Sequence, residues 1–348
     1  LSQCTRAFSQ RIALKQLNEQ QSYVELSFKD LNEQVERAAN SILASGIPIG
    51  SSIALLGANS PEWVISALAV LRAGCVLTPL DHNGSKEEQQ SVLRASRAKA
   101  LIALSPNDGD FPGESIIGFT PGEKAQGSFL PLGASTPPQS KPQPKSSDLA
   151  LLVFTSGSTG AAKGVMLSHG NILADLHGIS RRIPLCPEDA VLSLLPLSHM
   201  LEFTAGMLYP LSRGCSITYL RSLNGKEIML NLQRAKPKLM IAVPKILQLL
   251  RSSIERGLSK LSPLKTLALS VLAPFTQRSA GFARLIYGEV HRKFGSALRH
   301  IVVGGAPIPL ELLLFYKKLG LEVLQGYGLT ETSPVLSANG PSCNTLGT

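Results

Sequence analysis

The feature that most constrains this chain is the alternation of helix-like and strand-like stretches in its first hundred residues. Residues 27–45, "SFKDLNEQVERAANSILAS", place apolar residues at helical spacing and stop at Gly46. "SSIALLGANSPEWVISALAVLRAGCVLTPLD" then reads as strand, turn, helix and strand. Pro61 sits where a first helical turn tolerates proline, and Gly74 closes the helix. "KEEQQSVLRASRAKALIAL" repeats helix then strand. This alternation predicts an α/β architecture with a largely parallel sheet.

The pattern breaks between 105 and 148, a Pro/Gly/Ser-rich stretch expected to be mostly loop and polyproline-like near "PPQSKPQPK". Order resumes with "LALLVFTSG", and a helix is expected from about 168 to 182. The apolar run from Asp189 to Arg213 is interrupted by Pro196, His199, Glu202 and Pro210. A membrane span needs roughly 18 apolar residues, so this run reads as buried strand, loop and helix. Residues 263–294 carry five Lys/Arg and one acid. They fit a helix that covers the core with a solvated basic face, or one that touches a membrane surface. "LRHIVVGGAPIP" and "LEVLQGYGLTETSP" each read as a strand running into a glycine-rich loop, with a helix to about 319 between them.

At 348 residues the chain can bury a core large enough for more than one subdomain. With 44% hydrophobic and 17% charged residues it is globular rather than disordered. A net charge of +10 favours anionic partners. The positive residues are scattered, only 5% of residues are aromatic, and no zinc-finger spacing or long Lys/Arg run occurs, so no nucleic-acid partner is expected. Cys4, Cys75, Cys186, Cys215 and Cys343 are odd in number, far apart and without CxxC spacing. That argues against a disulfide framework or zinc site and for a reducing, cytoplasmic setting.

"FTSGSTGAAKG", residues 154–164, raises the question of chemistry. A Walker loop beginning at Gly157 needs Gly at 162, which is Ala162, and Ser or Thr after the lysine, where Gly164 stands. The loop still offers hydroxyls from Thr155, Ser156, Ser158 and Thr159, the backbone of Gly157 and Gly160, and the ammonium of Lys163. Between a strand and an expected helix, that set suits a polyphosphate.

"FTSGSTGAAKGVMLSHGN" closely resembles the phosphate loop of the adenylate-forming (AMP-binding) superfamily. "GGAP" at 304–307 and "GYGLTETSP" at 326–334 resemble its other motifs, in the expected order. The family commonly has proline before the lysine; Ala162 loosens that turn without removing a ligand. The resemblance implies a large N-terminal domain of stacked β-sheets flanked by helices in an αβαβα arrangement. It also implies a reaction in which a carboxylate and ATP give acyl-AMP and pyrophosphate, after which the acyl group passes to a thiol. Residues 155–160 and Lys163 would hold the β- and γ-phosphates. Thr330 would donate near the α-phosphate, Glu331 would bind Mg²⁺, and Tyr327 would stack on adenine. Gly305, Ala306, Pro307, Gly326 and Gly328 would shape its slot. His199, in "LPLSHMLEF", would border the carboxylate and orient the acyl group. Glu202 is expected to pair with a cation or a histidine, with its role open.

No aspartate lies between His199 and Arg213, and Leu329 replaces the proline usual in amino-acid-activating members. "LPLSHMLEF", "VPKIL" and the final motifs look most like bacterial long-chain fatty acid–CoA ligases. The resemblance therefore implies a fatty acid, ATP and CoA as partners. An acyl carrier protein is the alternative acceptor, and peripheral contact with the inner face of a membrane is a further expectation. The family continues past the last residues here with a ribose-binding aspartate, a hinge and a small C-terminal domain. Residues 1–348 are thus expected to be an incomplete catalytic unit, leaving a non-catalytic nucleotide- or acyl-binding module as the second alternative.

Overall fold

A computed structural model describes residues 2–105, 117–121, 130–133, 137, 139–155, 163–259, 272, 276, 279–341 and 343–345. Helix α1 (Ser2–Phe8) leads into β1 (Ile12–Leu17) and β2 (Tyr23–Ser27). Then come α2 (Phe28–Ala44), β3 (Ser52–Leu56), α3 (Pro61–Arg72), β4 (Val76–Pro79), α4 (Lys86–Ala95) and β5 (Ala100–Ala103). Two short strands, β6 (Ile117–Pro121) and β7 (Leu130–Leu132), precede β8 (Leu149–Thr155), β9 (Lys163–Ser168) and α5 (His169–Arg182).

After β10 (Ala190–Ser193) the chain forms a π-helical segment (Glu202–Leu208) continuous with α6 (Tyr209–Ser212), then β11 (Ser216–Tyr219) and α7 (Gly225–Ala235). Next are β12 (Leu239–Ala242), α8 (Pro244–Leu258), α9 (Ala280–Ile286) and α10 (Gly288–Lys293). The described chain closes with β13 (His300–Val303), α11 (Leu310–Lys318), β14 (Glu322–Gly328) and β15 (Val335–Ala338).

Local chemistry sets the helix starts. Ser27 and Asp30 form a reciprocal capping box on α2, as do Ser85 with Glu88 on α4 and Ser168 with Asn171 on α5. Ser60 caps α3, and Pro61 occupies its first position.

Seven strands form one sheet in the order β7-β6-β5-β3-β4-β8-β9, and eight form another in the order β15-β14-β13-β12-β10-β11-β1-β2. Pairing is parallel except for the antiparallel pairs β8–β9, β14–β15 and β1–β2. Helices α2 and α3 lie between the sheets, touching β1 on one side and strands of the seven-stranded sheet on the other. Their apolar faces, with Trp63 and Phe203 edge-on at 6.1 Å between ring centroids, make the largest core. Alternation then assigns the outer faces. Ala54, Leu56 and Leu101 meet Leu93 of α4, while Met240, Ile301 and Val303 meet α7, α8, α10 and α11. The layers are the expected αβαβα.

Three expectations change. The helix expected from about 168 to 182 is α5, but the strand β9 intervenes between it and the phosphate loop, with Val165 and Leu167 alternating with exposed Met166. The region 105–148 contains β6 and β7 among its described residues, extending the parallel sheet. Gly326, Tyr327 and Gly328 lie in β14 rather than in a loop after it. In the described part of 263–294, Ala283, Tyr287, Val290 and Phe294 are buried, so that part covers the core. No helix among the described residues is long and apolar enough to cross a membrane.

Candidate functional site

The site grows from two hairpins, one at an edge of each sheet. β8 and β9 pair antiparallel until Thr155 stands opposite Lys163. Thr155 is half-buried and Lys163 is exposed. Ser156, Gly157, Ser158, Thr159 and Gly160 lie outside the described residues. At the other end of β9, the Ser168 hydroxyl accepts from Asn171 N–H at 3.1 Å and starts α5.

The second hairpin is β14–β15, with Tyr327 opposite Ser337 and Gly328 opposite Val335. Between its strands, Thr330–Thr332 make one turn of 3₁₀ helix, and β9 runs beside that turn. The first and third motifs are therefore neighbours. The turn is tightly closed. Pro334 O would lie 1.7 Å from a Cβ placed on Gly328, so only glycine fits there. Thr332 Oγ1 accepts from Leu329 N–H at 2.9 Å and donates to Pro334 O at 2.8 Å. Two side chains outside the motif complete the closure. Thr204 Oγ1 donates to Ser333 O at 3.2 Å, and Asp175 Oδ2 accepts from Val335 N–H at 3.3 Å. Burial pushes the Asp175 carboxyl up to about 7, partly opposed by the Val335 N–H.

Beside the turn lies a cavity of about 480 Å³ with walls that include Ile179, Leu195, Met200, Ala205, Val243 and Val302. His199, Gly305, Gly326, Tyr327, Gly328 and Thr330 also line it. Gly305 has φ +80°, a conformation that favours glycine. Lys163, Ala306, Pro307 and Glu331 are exposed and are not on the cavity wall, although Glu331 adjoins Thr330. His199 is solvent-exposed, so it is not a buried core histidine; its ring faces a space that a ligand could fill. Apolar walls, a glycine-shaped slot and a few convergent polar groups are the composition of a small-molecule site.

The whole chain, residues 1–348, matches the family described as AMP-binding enzyme. It belongs to that family. The chain is 26% identical over 343 residues to a long-chain-fatty-acid–CoA ligase of Mycobacterium bovis, a match covering 89% of this chain and 56% of the relative. It is 27% identical over 404 residues to a chloroplastic long-chain-fatty-acid–[acyl-carrier-protein] ligase of Arabidopsis thaliana, with 93% of this chain and 54% of that protein covered. The chain thus spans about half the length of the curated relatives it matches. In fold it is similar to the inhibitor-bound N-terminal domain of FACL13 from Mycobacterium tuberculosis. The TM-score is 0.74 at 21% identity, covering 95% of this chain and 75% of that one.

Two features of the site region escaped the sequence. Asn59, from the turn after β3, clamps the segment before His199: its Nδ2 donates to Leu195 O at 2.6 Å, and its Oδ1 accepts from Leu197 N–H at 2.8 Å. In "GANSP" it reads only as a turn residue. Glu202 overturns the expected ion pair, since it is fully buried and neither carboxylate oxygen has a hydrogen-bond partner among the described residues. Burial pushes its carboxyl up to about 8, and nearby Ser193, Leu195 and Leu194 moderate the shift without a bond of good geometry. Its burial therefore favours the protonated form. Tyr219, whose hydroxyl has no partner among the described residues, is raised by its burial and then by Glu202.

Proposed function

We propose that this chain is the nucleotide- and acyl-binding part of an ATP-dependent ligase for long-chain fatty acids. A substrate carboxylate oxygen attacks the α-phosphorus of ATP, the bond to pyrophosphate breaks, and acyl-AMP forms. A thiol then attacks the acyl carbon, and AMP leaves. The observation that carries this reading is one shared space: an apolar cavity opens onto the slot made by Gly305, Gly326 and Tyr327, with His199 and Thr330 on its wall.

The roles follow from charge. Two anions must approach, so donors and cations aimed at the phosphates lower the barrier. Lys163, with Thr155 and residues 156–160, would hold the β- and γ-phosphates. Thr330 would donate at the α-phosphate, and Tyr327, 61% exposed, has a free face for adenine. Glu331 would hold Mg²⁺ together with phosphate oxygens; one exposed carboxylate beside a phosphate suits an ion that keeps most of its waters. His199 would orient the carboxylate. A second cavity of about 330 Å³ shares the Pro196 wall and includes Asn59, His82, Asn83 and Ser198, a polar approach for the arm of a thiol acceptor such as CoA. The similarity to an acyl-carrier-protein ligase supports the protein-borne thiol as the second reading.

Calorimetric titration with acyl-sulfamoyl-adenosine mimics of increasing chain length tests the proposal. Each methylene buried in the cavity adds about 0.8 kcal/mol, so affinity should climb steeply from short to long chains. An affinity that ignores chain length sinks the long-chain assignment. In the longest native form, pyrophosphate exchange followed by CoA and acyl carrier protein in separate assays distinguishes the acceptors.

A further inference from the structure

The turn that carries Thr330 and Glu331 is closed by two side chains that belong to none of the three motifs. Thr204 is 0% exposed, and its hydroxyl donates to the carbonyl of Ser333. Ser333 has φ +78°, a left-handed conformation that costs a non-glycine residue of order 1 kcal/mol or more. The bond therefore sits where the backbone most needs a second support. Asp175, 9% exposed, takes the N–H of Val335, two residues further on. Between the two contacts the chain has few ways to move, because Gly328 and Pro334 are already at closest approach.

The elements that supply these side chains also build the cavity. Thr204 precedes Ala205 in the π-helical segment, and Asp175 lies one helical turn before Ile179 on α5; Ala205 and Ile179 are both cavity walls. A helix with i→i+5 bonds is uncommon and recurs at functional sites. The wall that an acyl chain would press on and the turn that would face the phosphates thus share two rigid supports.

We propose that Thr204 and Asp175 are positioning residues for carboxylate activation, holding Thr330 and Glu331 in register with a ligand in the apolar cavity. The assignment rests on the acyl-adenylating reading of the site. Neither residue touches the reacting atoms; each acts through the backbone of 333–335.

The test uses Thr204→Val, which removes the hydroxyl at constant shape, with Thr204→Ser as the conservative rescue. Asp175→Ala removes the acceptor, and Asp175→Asn retains one. Amide hydrogen exchange of residues 329–336 and calorimetric affinity for a long-chain acyl-sulfamoyl-adenosine are read on each, alongside affinity for the free fatty acid. Leaving the Ser333 carbonyl without its partner should weaken the mimic about tenfold and speed exchange in 329–336. Fatty-acid affinity should stay within about twofold, and Thr204→Ser and Asp175→Asn should restore most of the loss. A general loss of packing would instead weaken both ligands and would not be rescued, overturning the assignment. Unchanged exchange and mimic affinity in Thr204→Val and Asp175→Ala would overturn it too, while leaving the functional reading in place. Failure of the wild-type chain to bind the mimic would overturn the functional reading and this assignment with it.

Discussion

Each sheet carries an antiparallel hairpin at the edge beside the site, β8–β9 on one and β14–β15 on the other, and their described residues differ. At β8–β9 the described ends are a half-buried Thr155 and an exposed Lys163. At β14–β15 the chain is locked by Gly328 against Pro334, by Thr332 within the turn, and by Thr204 and Asp175 from outside. The contrast matches the chemistry proposed for each. The end of ATP where bonds change needs fixed geometry, since a small misplacement is costly. The departing β- and γ-phosphates need charge, which a long lysine side chain delivers without a fixed pose.

Gly328→Ala should give the largest effect. Its Cβ would overlap Pro334 O, so the turn must open. Affinity for an acyl-adenylate mimic should fall by about 100-fold or more, on the scale of other severe backbone strain. Retained affinity would show that the lock is not needed. Next come Lys163→Ala and Glu331→Ala, with the fold intact in both. Loss of a charge-assisted contact costs about 1.5–3 kcal/mol, so calorimetry should show ATP–Mg²⁺ binding weakened by roughly tenfold or more. The mimic lacks β- and γ-phosphates and should keep its affinity for Lys163→Ala; a parallel loss would erase the division between the hairpins.

A smaller effect should appear with pH. The folded chain holds a proton on Glu202 that the unfolded chain releases, since its carboxyl titrates near about 8 in place of 4.5. That contribution is complete below about pH 4.5 and is lost as pH rises to about 8. Between pH 6 and 9 the wild-type Tm should therefore fall by several degrees more than that of Glu202→Gln. Equal falls would mean that Glu202 is not held neutral. Gly164→Ala should have the smallest effect. Its Cβ would stand 3.0 Å from the tip of Leu152 and 3.3 Å from the edge of the Phe154 ring, side-chain ends that can give by a few tenths of an ångström, so Tm should move by about a degree or two.

The three motifs and the alternating α/β order were legible because each is a local pattern: cap, apolar period, glycine, hydroxyl. What stayed hidden was set by distant partners. β9 was masked because Met166 stays exposed and the strand passes without a break into α5 at Ser168. β6 is a strand because β5 offers it a parallel edge, and β7 because β6 does in turn, which their Pro- and Gly-containing sequences do not announce. Asp175 reads as a polar residue on a helix face until Val335 folds against it from 160 positions away. Glu202 invited a salt bridge on general grounds, and the fold instead buries it beside Ser193 and the backbone of Leu194 and Leu195.

The edge-on contact of Trp63 with Phe203 has a practical consequence. Trp63 is the single tryptophan of the chain, wholly buried on α3, and Phe203 stands between Glu202 and Thr204 in the π-helical segment. The molecule therefore carries a native optical gauge at the joint between its two sheets, and any ligand that shifts this segment changes the colour or yield of one fluorophore without a label being attached.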